Sequence, residues 1–396
     1  MSLQWVESRE HTAKYDLSSS CAAPISIDDL IGLSDNSKRT EEALSTRSLK
    51  LSYGPMRGSD ALRENLANLY SARAAGVTQD DILTTNAGID ANHIALTALV
   101  SDGDHVICHY PTYEQLYQVP RALGAEVSLW KASKKWQLDI EELKTLIRPN
   151  TKLIIINTPN NPTGAIVPKP TLELLMELAE EKGITIMSDE VFRPLFHSIT
   201  PASEDFPPSA INLGYKNVVV TGSFSKAYSM PGIRTGWIVS RNKQIIEACH
   251  SIRHYTTTSV SRLDEAVAAE AVSDRCIHAL LARNIQTAKK NIQLIQDFID
   301  EHSWACSWTP PVAGAIAFIK FAKMGKPVDD EEFCVRLQDK MGVLLAPGSR
   351  CFGGGQDFKG YVRIGLAMET AAVKEGLAAL ATFLEDDFES IPVAKK

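Results

Sequence analysis

The amino-acid sequence predicts an α/β fold. A large domain carries a mainly parallel seven-stranded sheet between helices, and a smaller α+β domain is formed by the N-terminal arm and the C-terminal part. Two observations carry this. Strand-like and helix-like segments alternate from Ile82 to Ile252, the pattern of parallel strands joined by helical crossovers. After them come long helical patterns and then a mixed region that breaks the alternation, which reads as a second packing unit. The implied boundaries are 1–50 for the arm and part of the small domain, 51–285 for the large domain and 286–396 for the small C-terminal domain.

Taken in order, Met1 to about Lys50 has no strong periodicity. Within it Tyr15 to Pro24 reads as an extended arm and turn, followed by a short helix from Ser26. Tyr53 to Gly58 is a turn-rich loop, and Ser59 caps a helix to about Ala75 with Leu62, Leu66 and Leu69 on its apolar face. Apolar, β-branched runs then mark strands at Ile82–Thr85, His105–His109, Glu126–Trp130, Lys152–Asn157, Thr185–Ser188, Asn217–Thr221 and Trp237–Ser240. Helices fill the gaps at Ile89–Val100, Tyr113–Leu123, Ile140–Ile147, Thr171–Lys182 and Lys243–Ile252. Helical periodicity runs on from Ser261 to Ser303. Ala315–Phe321 and Tyr361–Leu366 read as strands, and a closing helix starts at Thr370. No repeat or low-complexity tract interrupts the chain.

With 396 residues, 44% apolar and 22% charged, the composition is that of an ordinary globular protein. A net charge of −7 argues against a general nucleic-acid or anionic-membrane surface, while leaving room for a local basic pocket. No apolar run approaches a membrane span and the first residues are polar and acidic, so a cytoplasmic protein is expected. Seven scattered cysteines without a C-x-x-C pair fit reduced thiols and no metal site.

The chemistry concentrates in Ser223 to Gly236, S-F-S-K-A-Y-S-M-P-G-I-R-T-G. It places Lys226 just beyond a buried strand, where open α/β sheets hold their ligands. S-x-S-K alone describes any loop with a solvated lysine; the glycines and the spaced Arg234 make it specific. With an unperturbed pKa of about 10.4, a lysine does covalent work only when something favours its neutral form, and a carbonyl partner does so by forming an imine. Ser223, Ser225 and Arg234 suit a phosphate. Pyridoxal 5′-phosphate is the common cofactor with both groups.

Other stretches converge on this point. In T-N-A-G-I-D-A-N-H the amides of Gly88 and Ile89 open a helix and form a phosphate cradle. Tyr113, in H-Y-P-T-Y, can lie against a planar ring, although a core-edge tyrosine reads equally well. N-T-P-N-N-P-T-G fixes an irregular loop that aims Asn161 into the crevice. Asp189, in S-D-E-V-F, is a carboxylate beyond a buried strand, costly unless it meets a cation such as a protonated ring nitrogen.

These motifs, with G-Y-V-R-I-G-L-A near the end, resemble the class I/II aminotransferases of the aspartate aminotransferase fold (fold type I) over essentially the whole chain. The resemblance implies that Lys226 forms the Schiff base, Asp189 pairs with the pyridine nitrogen and Asn161 bonds the ring 3′ oxygen. It assigns the phosphate to Gly88, Ile89, Ser223, Ser225 and Arg234, ring stacking to Tyr113, and the substrate α-carboxylate to Arg363 beside Asn161. It also implies a homodimer with active sites at the interface, in which Tyr53 reaches the neighbouring subunit's phosphate. The substrates would be an amino acid and a keto acid.

One position departs from the family pattern. Where a tyrosine commonly donates to the 3′ oxygen, this chain has Phe192, and loss of that donor should raise the Schiff-base pKa. An aminotransferase working by ping-pong half-reactions is the leading expectation. A lyase, replacement enzyme or cyclase is the alternative, since the Y-D-L-S-S-S arm resembles capreomycidine-synthase-like members, which cyclise a modified arginine. A sensor domain is the third, and residues 1–50 are too short and acidic to supply its DNA-binding segment. Arg57, Arg193 and Arg253 are candidates for a side-chain carboxylate, and Tyr15, Tyr228, Tyr255 and Trp237 for pocket walls.

Overall fold

The computed structural model describes residues 2–71 and 76–395. In chain order its strands are β1 (Tyr15–Asp16), β2 (Ile82–Asn86), β3 (His105–Tyr110), β4 (Glu126–Lys131), β5 (Thr151–Asn157), β6 (Thr185–Asp189), β7 (Val218–Ser223) and β8 (Thr235–Val239). Then come β9 (Cys306–Trp308), β10 (Ile316–Lys323), β11 (Lys326–Pro327), β12 (Val343–Leu344), β13 (Ala346–Pro347) and β14 (Tyr361–Gly365). The seven strands expected between residues 82 and 240 all form one sheet, in the order β2-β8-β7-β6-β5-β3-β4. Only β8 runs against its neighbours. The carboxyl ends of β2, β5, β6 and β7 therefore open on one side.

Except at its edge strand β4, this sheet is buried on both faces, which is why strands such as β3, β5 and β7 read as continuous apolar runs. Successive side chains of a strand point to opposite faces. In β5, Ile154 and Ile156 join the core that runs towards the second sheet, while Leu153 and Ile155 join the core under the helix Ala87–Leu99. Val218 and Val220 of β7 divide from Val219 in the same way. Each such fully buried aliphatic contributes about 1.5–3 kcal/mol relative to exposure, so β5 and β7 are a rigid base for the loops that follow them.

A second, antiparallel sheet has the order β11-β10-β14-β13, with β9 also on β10. Beside it the arm makes a separate two-stranded sheet, in which β1 pairs in parallel with β12, and the Trp5 Nε1 donates to the Leu345 carbonyl at 3.0 Å. Ser26 caps the helix Ile27–Leu33 in a reciprocal capping box with Asp29.

Two expectations need correction and a third lies partly outside the described residues. The segment to Lys50, read as lacking pattern, holds the helices Ser2–Glu7 and Ser37–Leu44. The helix capped by Ser59 runs over Asp60–Ser71, and its expected end at Ala75 lies outside the described residues. The helical pattern from Ser261 to Ser303 divides into Arg262–Ala271 and Ile277–Glu301. The turn between them brings Arg275 back onto Glu270, 2.6 Å away, and Thr40 donates to the same carboxylate at 2.6 Å. Among the described residues no helix is long and apolar enough to cross a membrane, and no group of metal-ligating side chains occurs. All seven cysteines are free.

Candidate active site

A cleft of about 350 Å³ lies beyond the carboxyl ends of β2, β5, β6 and β7, with β14 and the arm forming its far wall. Lys226, Asp189, Asn161, Tyr113, Phe192 and Arg363 all line it. So do Gly88, Ile89, Ser223, Ser225 and Arg234. Residues from six separate stretches are thus brought together in one cleft. Tyr53 is not among them: it stands on the surface, 81% exposed.

Lys226 follows β7 by three residues and is partly buried. Its Nζ donates to the Ser20 hydroxyl at 2.7 Å and approaches the Cys21 thiol at 3.5 Å. Ser225 N donates to the Ser223 Oγ at 3.1 Å, and the two hydroxyls are 3.0 Å apart. Close by, the helix Ala87–Leu99 begins with a left-handed Ala87 (φ 69°). Two glycines keep this corner open. A Cβ on Gly88 would come within 2.9 Å of the Ser223 Cβ, and one on Gly236 within 2.6 Å of the Gly88 nitrogen. Arg234 is exposed at the rim, its guanidinium bonded to the Pro231 carbonyl at 2.9 Å.

Asp189 is the last residue of β6, inside the strand rather than just past it, and is buried. Its Oδ2 accepts from Asn92 Nδ2 at 2.8 Å and its Oδ1 from the Val191 amide at 3.1 Å. Asn92 is held in turn by the Thr221 hydroxyl at 2.6 Å. Burial pushes the Asp189 carboxyl up to about 6, against the downward pull of Asn92 and the Val191 amide. No cationic side chain forms an ion pair with it among the described residues.

The octet after β5 is held by its own polar groups. Asn157 Oδ1 accepts the Asn161 amide at 2.7 Å, Asn157 Nδ2 bonds the Asp189 carbonyl at 3.0 Å, and the Thr163 hydroxyl donates to Asn160 at 2.7 Å. Asn161 thereby meets Arg363, whose Nη1 donates to its Oδ1 at 3.2 Å. Arg363 Nη2 donates to the Ser18 carbonyl at 2.7 Å, and its buried Nε has no hydrogen-bond partner. Burial lowers the guanidinium's affinity for its proton. Phe192 is 1% exposed and brings no hydroxyl to the cleft.

Sequence reasoning missed Asn92, Thr221, Ser20 and Cys21. Only Asn92 left a local signal: it lies four residues after Gly88, on the same helical face. None of the three arginines offered for a second carboxylate lines the cleft. Arg57 pairs with Glu247 and Arg193 with Glu190, while Arg253 is fully buried. Arg193, Tyr228 and Trp237 border a larger cavity of about 880 Å³, which holds none of the residues predicted to bind the cofactor or the α-carboxylate. Tyr15 packs against the core and Tyr255 is exposed.

The description "Aminotransferase class I and II" fits residues 31–380. Capreomycidine synthase of Streptomyces vinaceus is 30% identical over 380 residues, covering 95% of this chain and 91% of that protein. The crystal structure of a PLP-dependent aminotransferase from Streptococcus suis 89-1591 superposes with a TM-score of 0.87 at 35% identity, covering 100% of this chain and 98% of that one. The PLP-dependent cyclase OrfR superposes with a TM-score of 0.83 at 26% identity, covering 97% and 96%.

Pyridoxal 5′-phosphate is the cofactor of these proteins, and the residues of the cleft fit it. A lysine amine faces the cleft, a buried carboxylate awaits a cation, and the corner between Gly88 and Ser223 is kept free of side chains beside two hydroxyls and a helix N-terminus. This chain is a pyridoxal-phosphate-dependent enzyme of the transferase type and belongs to the class I and II aminotransferase family.

Proposed function

We propose that this enzyme is an aminotransferase that carries the amino group of an L-amino acid to a 2-oxo acid in two half-reactions, through Lys226. The observation that carries this reading is the meeting in one cleft of a lysine amine, a buried carboxylate and an arginine with an unpartnered Nε. When bound, pyridoxal phosphate supplies an aldehyde for an amine and a conjugated ring that spreads negative charge away from the substrate's α-carbon.

Lys226 would hold the aldehyde through a Schiff base, Asp189 the ring nitrogen and Asn161 the phenolic oxygen. The amides of Gly88 and Ile89, the hydroxyls of Ser223 and Ser225, and Arg234 would hold the phosphate, with Tyr113 against the ring and Phe192 packed beside it. Arg363 takes the substrate's α-carboxylate as a bidentate clamp, beside Asn161. Once its amine is free, Lys226 Nζ takes the proton from the α-carbon and can return it elsewhere. Asp189 stays ionised by pairing with a ring cation, which offsets the burial that otherwise raises its pKa.

The arm and residues to 50, a large domain over 51–285 and a small one over 286–396 form the proposed division. A homodimer with interfacial sites is supported by large apolar side chains left exposed, Leu51 and Tyr53 at 81% and Tyr255 at 90%. In it Tyr53 would reach the phosphate site of a second copy. Free cysteines are consistent with the cytoplasm.

Transamination leads, but Phe192 and the likeness to capreomycidine synthase favour a second reading: elimination, replacement or cyclisation at the β or γ carbon. Incubating the enzyme with amino acids and no keto acid separates the two. Release of one keto acid per site, then arrest, is the transaminase result; many turnovers with no keto acid added select the second reading.

Gly88→Ala tests the phosphate corner. Its Cβ would crowd Ser223, and overpacking of this kind costs on the order of 1–3 kcal/mol. A tenfold or larger rise in the cofactor's dissociation constant, read by fluorescence titration, is expected. Unchanged affinity would move the phosphate elsewhere.

A further inference from the structure

We infer that Ser20 is a positioning residue for Lys226: its hydroxyl holds the free lysine amine in place for proton transfer. This rests on the reading of Lys226 as the proton carrier. The hydrogen bond is 2.7 Å long, the distance of a strong contact between an ammonium and an oxygen acceptor. Among the described residues Lys226 makes no other side-chain bond to an oxygen or nitrogen, so this contact decides where the amine sits among its many rotamers.

Ser20 can act as a fixed point because the backbone around it is tied on both sides. Leu17 N donates to the Leu344 carbonyl at 3.0 Å, Ala22 N to the Lys226 carbonyl at 3.1 Å, and Ala23 N to the Ala367 carbonyl at 2.8 Å. The Lys226 residue is thus gripped twice by the same short stretch, through its backbone by Ala22 and through its side chain by Ser20. Two residues earlier, the Ser18 carbonyl accepts from Arg363. One turn of chain therefore sets the spacing between the amine and the guanidinium proposed to hold the substrate's carboxylate.

A serine hydroxyl serves both states of the amine. It accepts a hydrogen bond from the ammonium and can donate one to the lone pair of the neutral form, so it keeps hold while Lys226 gains and loses a proton. Nothing is consumed; the proton moves from the α-carbon to Nζ and onward.

The test compares wild type, Ser20→Ala and Ser20→Thr in two measurements. In the cofactor-free protein, modification of Lys226 by trinitrobenzenesulfonate at pH 8 is followed by peptide mass spectrometry. Loss of a hydrogen bond to a charged group should raise the rate about tenfold in Ser20→Ala. In the holoenzyme, kcat should fall about tenfold with KM within a factor of two, since the hydroxyl touches the amine and not the substrate. Ser20→Thr, which keeps the hydroxyl, should restore both. Equal modification rates in wild type and Ser20→Ala, or a kcat unchanged by the loss of the hydroxyl, would overturn the inference. The first measurement does not depend on which reaction follows, so a cyclase or lyase outcome leaves it standing.

Discussion

Replacing Lys226 with alanine is expected to abolish turnover and leave a folded protein. A positioned general base alone is worth about 10²–10⁴-fold, and this residue is assigned the covalent attachment as well, so a loss beyond about 10⁴-fold is expected. The fold should survive because the side chain contributes little else: among the described residues Nζ is hydrogen-bonded to Ser20 and Cys21, and the backbone bonds from Ala22 N and Ser229 N to the Lys226 carbonyl do not need it. Single-turnover product formation and thermal unfolding, measured on the same preparation, check both halves. Turnover within tenfold of wild type would remove the lysine from the chemistry.

The second large effect is expected at Asp189, and it has opposite signs for activity and stability. Asp189→Asn takes a buried negative charge away from the proposed ring cation. Removing one preorganised electrostatic group costs about 10²–10³-fold in kcat. In the cofactor-free protein the same change should stabilise. Burial raises the Asp189 carboxyl to about 6 in the fold, above its ordinary 3.8, so the folded state binds the proton more tightly than the unfolded chain. Its contribution to stability is therefore complete below about pH 4 and lost as pH rises through 6. A shift of this size corresponds to roughly 3 kcal/mol. The asparagine variant escapes that loss: urea unfolding without cofactor should show the two proteins alike at pH 4 and the variant more stable at pH 8. A wild type equal to the variant at both pH values would mean that the carboxylate already has a cation in the empty protein.

The sequence carried the sheet and most of the cleft for one reason: the informative residues sit next to one another at strand ends. An apolar run such as Lys152–Asn157 followed by N-T-P-N-N-P-T-G declares both a buried strand and the loop that leaves it, and the loop's hydrogen bonds run among its own side chains. Ser20 shows the opposite case. Its partner is 206 positions away, and nothing in Y-D-L-S-S-S-C indicates that the arm runs beneath Lys226. Thr221 was read only as part of a β-branched run, and its bond to Asn92 spans 129 positions. The two-residue strands β1, β12 and β13 were equally silent, since a pairing that short has no period to detect.

The pairing of β1 with β12 also orders events in time. A chain made from its amino end exposes residues 15–23 early, yet their partners Val343, Leu344, Arg363 and Ala367 emerge more than 300 residues later. Contacts of such long separation form slowly because a large loop must close first. A nascent chain halted at residue 342 would hold every strand of the seven-stranded sheet, with Asp189 at the end of β6 and Lys226 in the loop after β7. It would still lack Arg363 and the strand that anchors the arm. Lys226 is thus made well before the wall that encloses it, so the cleft around it closes only when the last fifty or so residues have joined the arm.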